Sequence, residues 1–183
     1  MGNNRYVALL RGINVGGRNK VPMADLRASF EGAGHADVRT YIQSGNVLFT
    51  ADAPRAALEP DLEALIERDF AITDAVVIVR SQARLRNVVQ RAPEGFGEEP
   101  DRFHFDVVFL KAPLSATQAM QVVDLRDGVD SAWTGPGAIY FRRLSEQRTK
   151  SRLSRLVSKP EYQRMTIRNW NTTTQLLTML DDG

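Results

Sequence analysis

The sequence of 183 residues predicts an α+β protein with two similar halves, each built on an antiparallel sheet, and a C-terminal helix. Two observations lead to this prediction. Runs of β-branched and aromatic residues alternate with amphipathic helical stretches in the order β-α-β-β-α-β along residues 6–80. Most of that order repeats after residue 102. The order is that of a split β-α-β, or ferredoxin-like, unit, which predicts four antiparallel strands with two helices on one face.

The first half begins with a nearly continuous apolar strand at residues 6–11, as expected for a strand with both faces covered. A helix follows from Pro22, a residue favoured in the first helical turn. Residues 38–50 predict a hairpin with the two-residue turn Ser44-Gly45. An apolar helical stripe then runs from Leu58 to Phe70, with Pro60 expected in the first turn.

A strand at residues 75–80 completes this half, and Ser81 is placed to cap a connecting helix. Residues 92–102 contain two prolines and two glycines, so we predict that they link two domains at residues 1–91 and 103–183.

The second half begins with an alternating strand at residues 103–109, followed by a helix at residues 113–123 and a hairpin at residues 129–143. We expect a helix around residues 153–157 and a short last strand at residues 162–166. For the C-terminal helix we predict Thr166 as N-cap and a core stripe made of the following residues: Ile167, Trp170, Thr174 and Leu177.

Composition excludes several kinds of chemistry. The chain has no cysteine and only two histidines, which argues against disulfides, thiolate catalysis and a zinc site, and we predict no metal and no cofactor. No apolar run is long enough for a membrane span, and the N-terminus lacks a signal-peptide pattern, so we expect a cytoplasmic protein without a membrane partner. The net charge is +2, but residues 142–170 alone carry +7 and are a candidate surface for phosphates or simply a solvated helix face.

The first candidate site is the loop between the first strand and the first helix. It contains Arg11, Asn14, Gly16 and Gly17, and a strand followed by a glycine-rich cationic loop and a helix N-terminus is a common anion site. The loop matches neither the Walker A nor the dinucleotide fingerprint. A tight connection that needs glycine and asparagine for its backbone angles explains the same residues.

The hairpin and the C-terminal part of the chain hold further candidates. Gln43 and Asn46 flank the hairpin turn, where their carboxamides either bind a ligand or only close the turn. Lys150 and Ser151 combine a cation with a hydroxyl group, although neighbours on a helix do not face each other and catalysis is therefore disfavoured. His104 is a weak general-base candidate on a face opposite the core.

Arg168 and Asn171 flank Trp170, which the helical stripe assigns to the core. They lie off the centre of that stripe, where they are free to face a cleft. The alternative is an exposed Trp170 beside Arg168 that stacks a base.

The chain resembles the bacterial family called domain of unknown function 1697. Most of the chain carries this resemblance, through the following stretches: YVALLRGINVGG at residues 6–17, MADLR at 23–27, YIQSGNV at 41–47, Lys150-Ser151 with Leu153-Ser154, and TIRNWNT at 166–172. The resemblance implies a duplicated α+β fold of ferredoxin-like character and no assigned reaction. Thr149 stands where other members usually have a serine.

We therefore expect an uncharacterised protein that binds a phosphorylated small molecule or nucleic acid at the glycine-rich cationic loop. The alternative is a small-molecule enzyme with its site between the two halves, and the sequence leaves enzymatic activity undecided. A homodimer formed through open sheet edges is a third expectation.

Overall fold

The structure is a computed structural model that describes residues 4–183. The chain forms two compact units. One holds the residues up to Leu85 together with Gln175–Gly183, and the other holds Arg86–Thr174. Each unit contains a four-stranded antiparallel sheet, and the chain ends in a helix. The predicted α+β fold with two antiparallel halves and a C-terminal helix is thus confirmed.

The first unit has the element order that its sequence pattern predicts. Its elements are β1 (Asn4–Arg11), α1 (Met23–Gly32), β2 (Ala36–Tyr41), β3 (Asn46–Ala51), α2 (Arg55–Phe70) and β4 (Val76–Ser81). The strands lie in the order β2-β3-β1-β4. β1 is central because its residues from Tyr6 to Leu10 are buried and apolar, and it pairs antiparallel with β3 and β4.

The core of the first unit lies between the sheet and the helices α1 and α2. Leu26 and Phe30 of α1 are completely buried beside Phe49 of β3, whose ring centroid is 5.5 Å from that of Phe30. Each such side chain contributes roughly 1.5–3 kcal/mol by leaving water. α2 begins at Arg55, so Pro60 lies in its second turn, and its predicted first-turn position is wrong.

Carboxylates of α2 cover the outer edge of β4. Glu63 accepts a hydrogen bond from the backbone N–H of Val77, and the buried Glu59 accepts one from Val79, both at 3.0 Å. An uncovered edge strand offers such N–H groups to another chain. These two donors are already occupied, so pairing through this edge would have to displace them. The homodimer itself remains a prediction.

The second unit repeats the strand order of the first. Its main elements, with the helices at its two boundaries, are α3 (Gln82–Gln90), β5 (Phe103–Leu110), α4 (Ala116–Met120), β6 (Asp130–Gly135), β7 (Ala138–Leu144), β8 (Met165–Asn169) and α5 (Trp170–Asp181). Its sheet has the order β6-β7-β5-β8. The unit boundaries fall within α3 and α5.

Two helices predicted for the second unit are wrong in extent or type. α4 has only five residues and begins at Ala116, because the Ser115 side chain caps it through the N–H of Gln118, and Gln118 bonds back to Ser115. Three short 3-10 helices replace the helix expected near residue 155. They are the segments Ser145–Lys150, Leu153–Ser158 and Pro160–Arg164. Pro160, which lacks an N–H, begins the last of them.

The start of the C-terminal helix also differs from the prediction. Residues 165–169 pair with β5 as strand β8, so Thr166 lies in a strand and is not an N-cap. Asn169 takes that role, since its side-chain oxygen accepts a hydrogen bond of 2.7 Å from the N–H of Thr172. The predicted stripe is therefore wrong, and the buried residues of α5 are Thr172, Thr173, Leu176 and Leu180.

The end of α5 is hydrogen bonded within the first unit. Arg5 donates to the carbonyl of Leu180 at 3.0 Å, and Arg39 donates to that of Met179 at 2.7 Å. Arginines favour helix C-termini because the last carbonyl groups lack helical partners. These contacts explain why residues 175–183 belong to the first unit although they lie at the other end of the chain.

The predicted linker lies inside the second unit. Phe96 packs there against Phe105, Tyr140 and Trp170 with ring centroids 4.9–5.4 Å apart. An aromatic anchor of this kind ties the segment 92–102 to the core of that unit. The division into domains at residues 1–91 and 103–183 remains a prediction.

Candidate functional site

The glycine-rich loop between β1 and α1 is a small hairpin. The N–H of Asn14 donates to the carbonyl of Asn19, and that of Arg18 donates to Val15, both at 2.9 Å. Gly16 and Gly17 form the exposed tip with φ angles of 55° and 79°. The residue types that suggested an anion cradle are therefore also required by the left-handed backbone of the loop.

The side chain of Asn14 holds this loop in place. Its oxygen accepts a hydrogen bond of 2.8 Å from the N–H of Val21, and its nitrogen donates to the carbonyls of Val21 at 3.0 Å and Gln43 at 3.1 Å. The structure thus brings Asn14 and Gln43 together, a contact that the sequence left undecided. The carboxamide of Asn14 braces the loop against the β2–β3 hairpin.

The turn of that hairpin has four residues, Ile42 to Gly45, and the predicted two-residue turn is wrong. Asn46 is fully buried and donates to the carbonyl of Tyr41 at 3.0 Å and to the hydroxyl of Ser44 at 2.9 Å. Ile42 is 49% exposed and has a φ of 48°, so it lies in the turn and not in the strand β2. The Asn46 carboxamide closes the turn from inside.

A cleft of about 350 Å³ lies beside the glycine-rich loop, and we call it the loop cleft. It is lined by Asn14, Gly17, Lys20, Val21, Pro22, Met23 and Gln43. The helix α1 starts at this cleft, and its N-cap residue, Pro22, has no side-chain group that could cap the first turn. Helix N-termini leave backbone N–H groups without helical partners. Lys20 is exposed and adds a positive charge beside them. Arg11 is half-buried at the end of β1 and does not line the cleft.

The second unit contains another cleft, of about 370 Å³, at the edge of its sheet. Its lining combines aromatic, polar and charged residues, and we call it the aromatic cleft: Gly97, Pro100, Phe103, His104, Phe105, Asp106, Arg143, Asn169, Trp170 and Asn171. It forms because β8 ends where Asn169 pairs with Asp106, whereas β5 continues to Phe103. The unpaired end of β5 leaves a notch beside the first turn of α5.

A buried ion pair lies in the wall of the aromatic cleft. Asp106 is 6% exposed, and its Oδ2 atom is 3.1 Å from an Nη atom of Arg143. Burial raises the pKa of Asp106, while Arg143 and, more weakly, His104 act against that rise. His104 itself contacts Ser145 at 2.8 Å through Nδ1 and Arg148 at 3.2 Å through Nε2.

The predicted placement of His104 on a face opposite the core is wrong, because Val108 and Leu110 on the same face of β5 are buried in the core of the second unit. These two contacts hold the His104 ring between Ser145 and Arg148.

Many of the basic residues between 142 and 170 have partners within the second unit. Arg152 and Arg155 both pair with Asp124, at 2.7 and 2.6 Å. Arg142 lies over the ring of Phe103 at 4.4 Å. Arg168 is buried in β8, and that burial lowers its pKa to about 10. The segment is therefore not one open cationic face.

The structure divides the site residues predicted from the sequence between the two units. Asn14, Gly17 and Gln43 line the loop cleft, with Gly16 next to it, and Asn171 lines the aromatic cleft. Lys150 is exposed at the end of a 3-10 helix. Ser151 accepts a hydrogen bond of 3.3 Å from the N–H of Leu153, the first residue of the next 3-10 helix.

Sequence reasoning missed Asp106 and Arg143. The signal was available, because Asp106 is an acidic residue within an apolar strand, and such a residue needs a partner. Lys20 and Arg18 are both cations that follow the glycines of the loop, and the sequence does not distinguish between them.

The raised pKa of Asp106 predicts the pH dependence of an Asp106→Asn variant. A carboxyl group whose pKa is higher in the folded protein destabilises the fold increasingly as pH rises above its ordinary value of 3.8. Asparagine lacks this penalty. The free energy of unfolding of the wild type, relative to the variant, should therefore be greatest near pH 3.5 and should decrease toward pH 7. Urea denaturation of both proteins across this range measures it. A difference that increases with pH would show that the ion pair with Arg143 outweighs burial.

Two antiparallel α+β units, each with a lined cleft, define this chain as a duplicated α+β protein. The family model described as "Protein of unknown function (DUF1697)" matches residues 3–140, and the chain belongs to this family. Its structure is similar to that of the conserved bacterial protein SP0830 from Streptococcus pneumoniae. The two share 29% sequence identity, with a TM-score of 0.82 over 98% of this chain and 99% of that one.

No curated protein matches the sequence significantly. Within residues 4–183, none of the helices has the length and apolar character needed to cross a membrane.

Proposed function

We propose that the protein binds a phosphorylated small molecule in the loop cleft. The observation that carries this proposal is that an exposed cation, Lys20, lines the same cleft as Pro22 and Met23 at the start of α1, where Pro22 supplies no side-chain cap. Backbone N–H groups at a helix N-terminus and a nearby positive charge together favour a phosphate. Gln43, which has a carboxamide side chain, and Gly17 also line the cleft.

The size and lining of the cleft favour binding over catalysis. Its volume of about 350 Å³ is at the lower end of the range for small-molecule sites, about 300–1,000 Å³. Among residues 4–183, those that line the cleft include no carboxylate, histidine, hydroxyl or thiol group, so Lys20 would have to perform acid–base or nucleophilic chemistry without such a partner there. The small-molecule enzyme predicted as the alternative remains a prediction.

A small ligand is favoured over nucleic acid. Nucleic-acid binding draws most of its affinity from several cations that contact successive phosphates. Arg152 and Arg155 of the basic segment already pair with Asp124, which reduces the charge left for such a track. Titration with a short RNA at low salt tests this preference, and tight binding that weakens steeply with salt would reverse it.

A cytoplasmic location also remains a prediction.

Replacing Lys20 by methionine tests the loop cleft. We expect pyrophosphate, AMP or ribose 5-phosphate to raise the melting temperature of the wild type. The K20M variant should bind the active probe at least about tenfold more weakly, because a charge-assisted hydrogen bond contributes roughly 1.5–3 kcal/mol. Titration calorimetry measures the affinities.

The matched control is Arg18→Met. Arg18 is an exposed cation of the same loop but does not line the cleft, so this variant should change the affinity by less than about twofold. Equal losses in both variants would indicate diffuse attraction by the loop and contradict a site at Lys20. The proposal also fails if none of the three probes stabilises the wild type.

A further inference from the structure

The aromatic cleft of the second unit takes no part in the phosphate binding proposed for the first unit. Its wall contains a buried carboxylate and a guanidinium group side by side, next to half-buried aromatic rings. We propose that this cleft binds a flat nitrogen heterocycle that presents N–H donors beside a carbonyl oxygen, the hydrogen-bonding edge of a guanine-type base.

The aromatic wall is held in a defined position. Trp170 lines the cleft, and its ring meets that of Phe96 edge-on, with centroids 5.1 Å apart and an interplanar angle of 89°. Gly97 has a φ of 92°, and a Cβ atom there would overlap the indole ring of Trp170. The glycine thus permits the close approach of the loop to the indole. A fixed, half-buried indole is a good surface for stacking a base.

The polar wall offers an acceptor and a donor side by side. The Oδ2 atom of Asp106 lies close to Arg143, yet within residues 4–183 neither this oxygen nor Nε of Arg143 completes a hydrogen bond of good geometry. A buried carboxylate oxygen gains from a donor that replaces its lost water. The Arg143 side chain lines the cleft and is 24% exposed. Its guanidinium group donates hydrogen bonds and cannot accept them.

The charge of this wall selects for a neutral ligand. Asp106 and Arg143 together carry no net charge, so an anion would meet the carboxylate and a cation would meet the guanidinium group. A neutral ring with adjacent donors and a carbonyl group satisfies both side chains at once. Aspartate pairs with base N–H groups, and arginine pairs with the carbonyl oxygen of guanine, by the same complementarity. The cleft volume of about 370 Å³ is suited to a base or a nucleoside.

The test follows the fluorescence of Trp170 in the full-length Trp133→Phe variant, where it is the only tryptophan. Guanosine should change the signal saturably. N1-methylguanosine, which lacks one of the donors, should bind at least about fivefold more weakly, the lower limit for losing one good pairing with a base. This comparison uses two ligands on one protein and therefore does not depend on the folding of a second variant.

Two aspartate variants in the same background complete the test. Asp106→Asn should weaken guanosine binding at least about fivefold. Asp124→Asn also removes a carboxylate paired with arginines in the second unit, but it lies outside the cleft, and it should leave the affinity within about twofold. The proposal is overturned if guanosine gives no saturable change, if methylation has no effect, or if both variants lose affinity equally. Lys20→Met should not affect this titration, so the two proposed sites can fail independently.

Discussion

Replacing Gly45 by alanine should lower the free energy of unfolding by about 2–5 kcal/mol. Gly45 has a φ of 82°, where a residue with a side chain is strained by roughly 1–2 kcal/mol. A Cβ atom would also lie 2.9 Å from Cδ1 of Ile13 and 3.0 Å from Cβ of Leu10. Both neighbours are buried, so neither can move away freely, and overpacking of this kind costs typically about 1–3 kcal/mol.

Gly34→Ala is the matched control for this variant. Gly34 has a similar φ of 89°, but a Cβ atom added there would have no other atom within 4 Å. This variant should lose only the backbone contribution. Urea denaturation midpoints of the two variants give the difference, which measures the packing contribution at Gly45. Equal losses would show that the β2–β3 hairpin adapts to the extra methyl group.

Asn14→Ala should lower the free energy of unfolding by about 2–4 kcal/mol, because it removes three hydrogen bonds that each contribute roughly 0.5–1.5 kcal/mol. The lost bonds join the glycine-rich loop to Val21 and to Gln43. Since Val21 and Gln43 line the loop cleft, we also expect weaker binding of the phosphorylated probe. Thermal or urea denaturation measures the stability, and calorimetry measures the binding.

Asn19→Ala separates hydrogen bonding from backbone strain. Asn19 belongs to the same loop and has a φ of 50°, against 51° for Asn14, so alanine is equally strained at both positions. Its side chain makes a single hydrogen bond, of 2.7 Å, to the carbonyl of Gly12. Asn14→Ala should therefore be the more destabilising change by roughly 1–2 kcal/mol. Similar losses would indicate that strain, and not the bracing role of Asn14, determines the effect.

The local sequence pattern predicted most strands because burial on a sheet leaves a strong signal. β1 and β4 are apolar runs, and both were placed within about two residues. The sequence also locates the glycine-rich loop correctly, since a strand, glycines and a proline at the start of a helix follow one another in the chain. Its use as a binding site remains a prediction, although one of its predicted companions, Gln43, does lie beside Asn14.

Where the pattern misled, a long-range contact decides the structure. Ile167 and Trp170 carry a helical spacing with the residues that follow, yet residues 165–169 pair with β5 as a strand. The hydrogen bonds of that pairing come from residues about 60 positions away, and no local spacing encodes them. The same pairing ends at Asp106 and thereby opens the aromatic cleft beside Trp170.

The sequence by itself determined the α+β class, the division into two antiparallel halves and the position of the glycine-rich loop, because hydrophobic period and turn residues act over a few positions. Tertiary structure decided which polar groups meet. It joined Asn14 to Gln43, buried Asp106 against Arg143, and anchored the end of α5 through Arg39. Each of these contacts joins residues at least 29 positions apart, and only folding brings such residues together.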